Sequence, residues 1–118
     1  MTDDIIFVFG SNLAGRHGAG SALKALEFGA KIGIGEGIQG KTYAIPTKDE
    51  NLKTLPLSQI NEYVHMFLKY AKAHPWLTFY VVEIGCGLAG YKPWQIAPMF
   101  SGHTSNVLLS PKFESFVS

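Results

Sequence analysis

The chain has few of the features that disulfide-bonded, metal-binding, membrane and nucleic-acid-binding proteins require. Its single cysteine, Cys86, excludes an internal disulfide and a cysteine-based zinc site. His65, His74 and His103 show no metal-ligand spacing, so neither a metal site nor a cofactor is predicted. No apolar run approaches the roughly 18 residues that span a bilayer, so no membrane partner is expected. The formal net charge of +1 also gives no reason to expect a nucleic-acid partner.

What the sequence does contain is enough apolar material for one small domain. Hydrophobic residues make up 47% of the 118 residues, which predicts a globular chain with one core and one domain over residues 1–118. The chain starts with acidic Asp3 and Asp4 instead of a basic region, so no signal peptide is predicted. A cytoplasmic location is therefore expected, and association into a homo-oligomer stays open.

Strand-like and helix-like segments alternate along the chain. Strands are predicted at 5–9, 42–45, 77–82 and 106–109, and helices at 23–28, 57–74 and 92–100. Pro46 is predicted to end the second strand, and the many glycines of residues 31–41 predict a loop. Leu23 and Leu26, with the small alanines beside them, are predicted to pack on the sheet. This alternation predicts an α/β fold with a mostly parallel sheet of about four or more strands, covered on both faces.

Three motifs fall where ligands of such sheets bind, beyond the carboxyl ends of the strands. Residues 10–22 follow the first strand, Thr47 and Lys48 follow the second, and residues 84–91 follow the third. A glycine-rich turn from strand to helix exposes backbone N–H groups that can surround an anion, usually a phosphate. Tight turns also require glycine, so a single glycine-rich turn does not distinguish a ligand-binding loop from an ordinary turn. Two of them at one edge favour a nucleotide-like ligand.

These motifs also resemble those of a known family. The sequence GAGSA at 18–22, Thr47-Lys48, and IGCGL at 84–88 occur in the same order in the macrodomain superfamily. The nearest branch is that of the terminal ADP-ribose–protein glycohydrolases, and short macrodomain-like proteins of bacteriophages are a looser resemblance. The resemblance implies a compact three-layer α/β/α fold that binds the small molecule ADP-ribose or a related NAD-derived nucleotide. It also implies a bacterium or a phage-infected host cell as the setting.

The resemblance assigns different parts of the ligand to different loops. It implies that residues 84–91 wrap the diphosphate with backbone amides, and that residues 18–22 contact the diphosphate or the distal ribose. Asn12 resembles an asparagine near the distal ribose, and an ordinary turn role is equally open. His17 either contacts phosphate or ribose or is an exposed loop histidine. The predicted ligand-binding residues are Gly10, Ser11, Asn12, His17, Gly18, Ala19, Gly20, Thr47, Lys48, Gly85, Cys86, Gly87, Leu88, Ala89, Gly90 and Tyr91.

The candidate catalytic residues are Lys48 and Asn12, and here the sequence departs from the branch that it resembles. In those glycohydrolases a lysine attacks the ribose carbon, and an aspartate directly after IGCGL completes the chemistry. Lys48 matches the lysine, whereas the aspartate's position holds Ala89, which has no titratable group. Cys86 is predicted to pack under its loop instead of acting as a nucleophile.

Three functions therefore stay open. The protein is a hydrolase of ADP-ribosyl linkages, a non-catalytic reader or sponge of a nucleotide signal such as cyclic ADP-ribose, or a structural phage protein with a vestigial pocket. The sequence does not decide whether the ligand is cut.

Overall fold

The computed structural model describes residues 5–117, which form five strands and four helices. In chain order these are β1 (Ile5–Asn12), α1 (Gly20–Ala25), β2 (Gly37–Gln39), β3 (Thr42–Lys48), α2 (Leu57–Ala73), β4 (Thr78–Val81), α3 (Pro93–Ile96), β5 (Val107–Leu109) and α4 (Pro111–Glu114). Short 3₁₀ turns, Leu26–Phe28 and Ala97–Phe100, extend α1 and α3. Asp3 and Asp4, which carry the expectation about a signal peptide, lie outside the described residues.

The five strands form one sheet in the order β2-β3-β1-β4-β5. All neighbouring strands are parallel except β2, which runs antiparallel to β3. The predicted α/β fold with a mostly parallel sheet of at least four strands is thus confirmed. Strand β1 is central because its apolar residues suit a strand with neighbours on both sides. The carboxyl ends of β3, β1 and β4 lie side by side, so the loops that follow them meet at one edge of the sheet.

The prediction of a loop for residues 31–41 is wrong in part, because Gly37–Gln39 form the edge strand β2. Glycine weakens a central strand, but β2 pairs on one side only, with β3. Gln39 lies opposite Thr42, so β2 and β3 form a hairpin with a two-residue loop. Gly40 in that loop has a φ of 57°, which hairpin loops of this length require. The glycines of this segment shape a hairpin.

Pro46 does not end the second strand, contrary to the prediction, because β3 continues through it to Lys48. Proline lacks an N–H group and is therefore tolerated where one side of a strand has no partner. Strand β2 pairs with β3 only as far as Ala44, so Pro46 lies beyond the last residue that β2 contacts. The strand can therefore carry Lys48 to the edge where the loops meet.

Alternate residues of the same strands supply two separate apolar clusters. Val8 and Ile45 belong to a large cluster that includes the buried residues of α2. Phe9 and Ala44 belong to a smaller cluster with Ala22 of α1. Successive strand residues point to opposite faces of a sheet, so the sheet is apolar on both faces. None of the helices within residues 5–117 is long and apolar enough to cross a membrane.

The three predicted helices are present, but α1 begins at Gly20 instead of residue 23, and α4 was not predicted. The predicted apolar face of α2 is confirmed, and its fully buried residues are Ile60, Val64, Phe67 and Ala71. In α1, however, Leu23 is 52% exposed, whereas Ala22 and Ala25 are buried. Phe9 already fills the space between α1 and the sheet, so small side chains form the contact and the larger Leu23 faces solvent.

Asn106, just before β5, fastens the end of α2 to the sheet. Its Nδ2 group lies 3.0 Å from the carbonyl oxygen of Ala71, 3.2 Å from that of His74 and 3.0 Å from that of Leu77. The last carbonyl groups of a helix have no partner within the helix. Asn106 donates to one such carbonyl group, that of Ala71, and to two in the chain that follows α2, and it thereby links α2, this chain segment and β5.

We expect Asn106→Asp to lower the free energy of unfolding by about 2–3 kcal/mol, because it replaces a shared donor with a charge that repels three carbonyl groups. Chemical denaturation of both proteins measures the change. Ser105→Asp is the matched control, since Ser105 is exposed and the substitution adds the same charge next to the site without removing a donor. Equal stabilities of the two variants would contradict this role for Asn106.

Candidate functional site

A cavity of about 530 Å³ opens at the carboxyl ends of β1, β3 and β4. It is lined by residues 10–12 of β1, which runs past its predicted end at residue 9, by Thr47 and Lys48 of β3, and by the loops that follow the three strands. In this sense the structure brings all three sequence motifs together. Of the predicted ligand-binding residues it contains Gly10, Ser11, Asn12, Gly18, Ala19, Gly20, Thr47, Lys48, Gly85, Gly87, Leu88 and Ala89. The shared edge of a parallel sheet explains why segments so far apart in sequence line one cavity.

The pairing of β1 with β3 brings the two candidate catalytic residues next to each other. Ser11 lies opposite Pro46, but Asn12 lies opposite Lys48, so the register shifts by one residue between Ser11 and Asn12. The N–H group of Leu13 donates to the carbonyl oxygen of Lys48 over 3.0 Å. Such an irregularity redirects side chains at the end of a strand. Here it sets Asn12 and Lys48 side by side at the wall of the cavity.

The amide group of Asn12 closes the turn that follows β1. Its Oδ1 accepts the N–H group of Arg16 at 2.9 Å, and its Nδ2 donates to the carbonyl oxygen of Arg16 at 2.8 Å. Asn12 is also 8% exposed. Of the two roles left open by the sequence, the turn role is the one these contacts describe, and the catalytic role stays a prediction.

The loop after β1 is supported by the glycine-rich segment before β2. A Cβ atom on Gly15 would lie 2.3 Å from the carbonyl carbon of Gly33, and one on Gly35 would lie 2.0 Å from the carbonyl oxygen of Asn12. The hydroxyl of Ser11 donates to the carbonyl oxygen of Gly35. No side chain fits at these contacts, so the two backbones pack directly on each other.

His17 lies outside the cavity, which differs from both alternatives that the sequence left open. Its side chain is 3% exposed, and its Nε2 lies 2.9 Å from the carbonyl oxygen of Lys31 and 3.2 Å from that of Ile34. Its ring also meets the ring of Phe9 edge-on at 5.4 Å. His17 therefore links the loop after β1 to the glycine-rich segment before β2 through these contacts, and it faces neither the cavity nor solvent.

The loop after β4 separates the first cavity from a second. The second cavity, of about 420 Å³, contains the predicted residues Cys86, Gly90 and Tyr91, together with Lys92 and Lys112. Glu83 and Gly87 line both cavities. Two hydrogen bonds hold this loop against the segment after β3, from Thr54 Oγ1 to the carbonyl oxygen of Ala89 at 2.9 Å and from Tyr91 OH to that of Leu55 at 2.7 Å.

Four further lining residues, Arg16, Ser21, Ala22 and Ile84, belong to the predicted binding loops 10–22 and 84–91 but were not singled out. Three lining residues lie outside those loops, namely Leu52, Val82 and Glu83. Val82 and Glu83 directly precede the second loop, so the motif boundary was the available signal for them. Leu52 had no such signal, because its segment has the composition of an ordinary surface loop. Arg16 adds a second positive charge to that of Lys48, and Glu83 brings a carboxylate that Ala89 cannot supply.

Two glycines of the first cavity have no conformational or packing reason to be glycine. Gly18 and Gly87 do not have a positive φ, and a Cβ atom added to either would meet nothing within 4 Å. All other glycines of the chain have a positive φ or a close neighbour at that position. The chain itself would therefore accept a side chain at 18 and at 87, and both positions face the cavity.

Cys86 has the properties of an unreactive thiol, in agreement with its predicted packing role. Burial, and secondly the charge of Glu83, raise the pKa of Cys86 to about 11. Its Sγ lies 3.5 Å from the carbonyl oxygen of Ile84. Since the thiolate is the nucleophile, a raised pKa makes covalent chemistry at this residue unfavourable.

We expect iodoacetamide to alkylate Cys86 at pH 8 about 100-fold more slowly in the folded protein than in the unfolded protein, because a pKa two units higher leaves that much less thiolate. Mass spectrometry of the labelled protein in buffer and in denaturant measures both rates. Glu83→Gln is expected to raise the rate in the folded protein only slightly, since burial is the larger cause. Equal alkylation rates in buffer and in denaturant would contradict the raised pKa of Cys86.

Comparison with known proteins supports the fold and leaves the ligand open. A scan against models of protein families finds no matching family, and a search of curated proteins finds no match. A solved structure of a protein of unknown function from Bacteroides thetaiotaomicron matches with a TM-score of 0.63, covering 92% of this chain and 88% of that chain. The two sequences are 14% identical, so this likeness establishes the α/β fold alone.

Proposed function

We propose that the protein binds ADP-ribose or a related NAD-derived nucleotide in the first cavity. The observation that carries this proposal is the pair Gly18 and Gly87, which face the cavity on two different loops and are required by neither conformation nor packing. A ligand that contacts the backbone closely is a reason for glycine at such positions. The diphosphate of the nucleotide occupies the space that side chains at 18 and 87 would fill.

The remaining walls of the cavity suit the same ligand. Its volume of about 530 Å³ lies within the range of roughly 300–1,000 Å³ that small-molecule sites occupy. Arg16 and Lys48 supply positive charge, and the glycine-rich loops supply backbone N–H donors for phosphate oxygens. The position at the carboxyl ends of parallel strands is the usual one for nucleotides in open α/β sheets.

The fold we propose for this function is the three-layer α/β/α arrangement of macrodomains. It is supported by the two apolar clusters, one on each face of the sheet, of which the smaller includes α1 and the larger includes α2. The order of the three motifs, which resembles that of the terminal ADP-ribose–protein glycohydrolases, supports the same assignment.

We expect Gly87→Glu to weaken binding of ADP-ribose at least 100-fold and to leave the melting temperature unchanged. The new carboxylate has open space around it, so it does not disturb the fold, but it occupies and repels the position of the diphosphate. Isothermal titration calorimetry and a thermal melt measure the two quantities.

The matched control for this variant is Ser105→Glu, which adds the same charge at an exposed position outside both cavities. If Gly87→Glu binds ADP-ribose with unchanged affinity, the ligand does not bind next to residue 87. If the wild-type protein shows no measurable affinity for ADP-ribose, NAD or cyclic ADP-ribose, the nucleotide proposal is wrong and a vestigial pocket is the better description.

Hydrolysis of an ADP-ribosyl linkage is a second candidate function, favoured by one observation. Lys48 and Glu83 line the same cavity, so a nucleophilic or phosphate-binding amine and a carboxylate are both present although Ala89 has replaced the aspartate. An amine and a carboxylate at one site can divide nucleophilic and acid–base roles between them. The non-catalytic reader remains the alternative, because the carboxylate does not stand where the related motif has it.

If the protein is a hydrolase, Lys48→Ala lowers the release of ADP-ribose from a mono-ADP-ribosylated protein at least 100-fold and its affinity for free ADP-ribose at most tenfold. A chemical step depends on the amine, whereas binding depends mainly on backbone donors. Chromatography of released ADP-ribose and calorimetry separate the two effects. Lys53→Ala is the control, since Lys53 is exposed and lines neither cavity. Binding by the wild type without any release would rule out hydrolysis.

A further inference from the structure

Two lysine side chains border the second cavity. Lys92 precedes α3 and Lys112 lies in α4, and both line this cavity of about 420 Å³. Both residues are exposed, and within residues 5–117 neither amine has an ion-pair partner. Glu83 supplies one opposing charge from the same wall. The described wall of the second cavity therefore carries one net positive charge.

The side chains that line the two cavities differ in character. The first cavity contains aliphatic residues such as Ala22, Val82 and Ile84. Among the described residues that line the second cavity there is no alanine, valine, leucine or isoleucine, and three of the eight are charged. Amines on such a wall attract an anion, and lysine is a common ligand of phosphate groups. The second cavity therefore suits a phosphate group better than an apolar ring.

Gly87 connects the two cavities, because it lines both of them. The N–H groups of residues 87–89 have no acceptor within the described part of the chain, so they are available to the proposed diphosphate. The hydrogen bonds of Ala89 and Tyr91 to the segment after β3 hold this loop between the cavities. A nucleotide of the proposed class carries a group at each end of its diphosphate. With the diphosphate at Gly87, one end can reach each cavity.

We propose that Lys92 and Lys112 bind a further phosphate group of the nucleotide, beyond its diphosphate, so that the site prefers ligands such as ADP-ribose 2′-phosphate. This proposal rests on the proposed function, since the diphosphate at Gly87 brings the further phosphate to the second cavity. One net positive charge attracts a free anion only weakly. A phosphate that belongs to an already anchored nucleotide binds at a much higher effective concentration, so the two lysines select for the phosphorylated nucleotide.

The test compares ADP-ribose with ADP-ribose 2′-phosphate by isothermal titration calorimetry. The wild-type protein is expected to bind the phosphorylated ligand about tenfold more tightly at low salt, through charge-assisted hydrogen bonds from the two amines. The double variant Lys92→Gln/Lys112→Gln is expected to lose this preference, while its affinity for ADP-ribose changes less than about threefold. Its melting temperature is expected to stay unchanged, because the backbone N–H group of Lys92, and not its amine, bonds to Gln95.

The matched control is Lys69→Gln/Lys72→Gln, which removes two charges at exposed positions of α2 that line neither cavity. This control is expected to keep the preference for the phosphorylated ligand, and the preference of the wild type is expected to fall as salt is added.

Three results would overturn the phosphate contact and leave the proposed function intact. The first is equal affinity of the wild type for the two ligands, and the second is a preference that survives in the Lys92→Gln/Lys112→Gln variant. The third is an equal loss of affinity for both ligands in that variant, because the amines would then serve the diphosphate. If inorganic phosphate, followed by amide chemical shifts, binds at Lys112 as tightly as ADP-ribose 2′-phosphate does, the cavity is a site for free phosphate and the selection of a nucleotide is wrong. If the wild type binds neither nucleotide, the proposed function fails and this inference fails with it.

Discussion

The site depends on one constraint, the direct packing of two backbone segments behind the loop that follows β1. Gly35 lies so close to the carbonyl oxygen of Asn12 that no Cβ atom fits between them, and Gly15 and Gly33 meet in the same way. The N–H group of Gly33 also donates to the carbonyl oxygen of Gly15 at 2.9 Å. Because the loop is supported from behind, the ligand that we propose would meet a preformed surface, and little ordering entropy would be lost on binding.

This constraint separates the glycines of the chain into two kinds. Those at 15, 33 and 35 are required by the fold, since a side chain there would collide with backbone or adopt a strained φ. Those at 18 and 87 are not required by the fold and border the cavity. Composition alone cannot distinguish the two kinds, because both appear as glycine-rich turns. The distinction depends on what surrounds each α-carbon, and it is the basis on which we place the proposed ligand.

The sequence was sufficient to predict the alternation of elements, the apolar face of α2 and the convergence of three loops, because periodicity and strand order determine them. It was insufficient where a residue's role depends on distant neighbours. Pro46 is tolerated within β3 because β2 stops short of it. His17 is tolerated in a buried position because the carbonyl oxygens of Lys31 and Ile34 accept a hydrogen bond from its Nε2. Leu52 is ordinary in sequence and unusual only in its φ.

The charges of the cavity bear on how it would hold the diphosphate that we propose. Arg16 and Lys48 contribute two positive charges and Glu83 one negative charge, which leaves one net positive charge. That is a small electrostatic attraction, so the proposed binding relies mainly on oriented backbone N–H groups. Such groups keep their direction only if the loops are rigid. The packing of Gly35 on Asn12 supports the loop after β1 in this way, so the proposed anion site would not need an excess of basic residues.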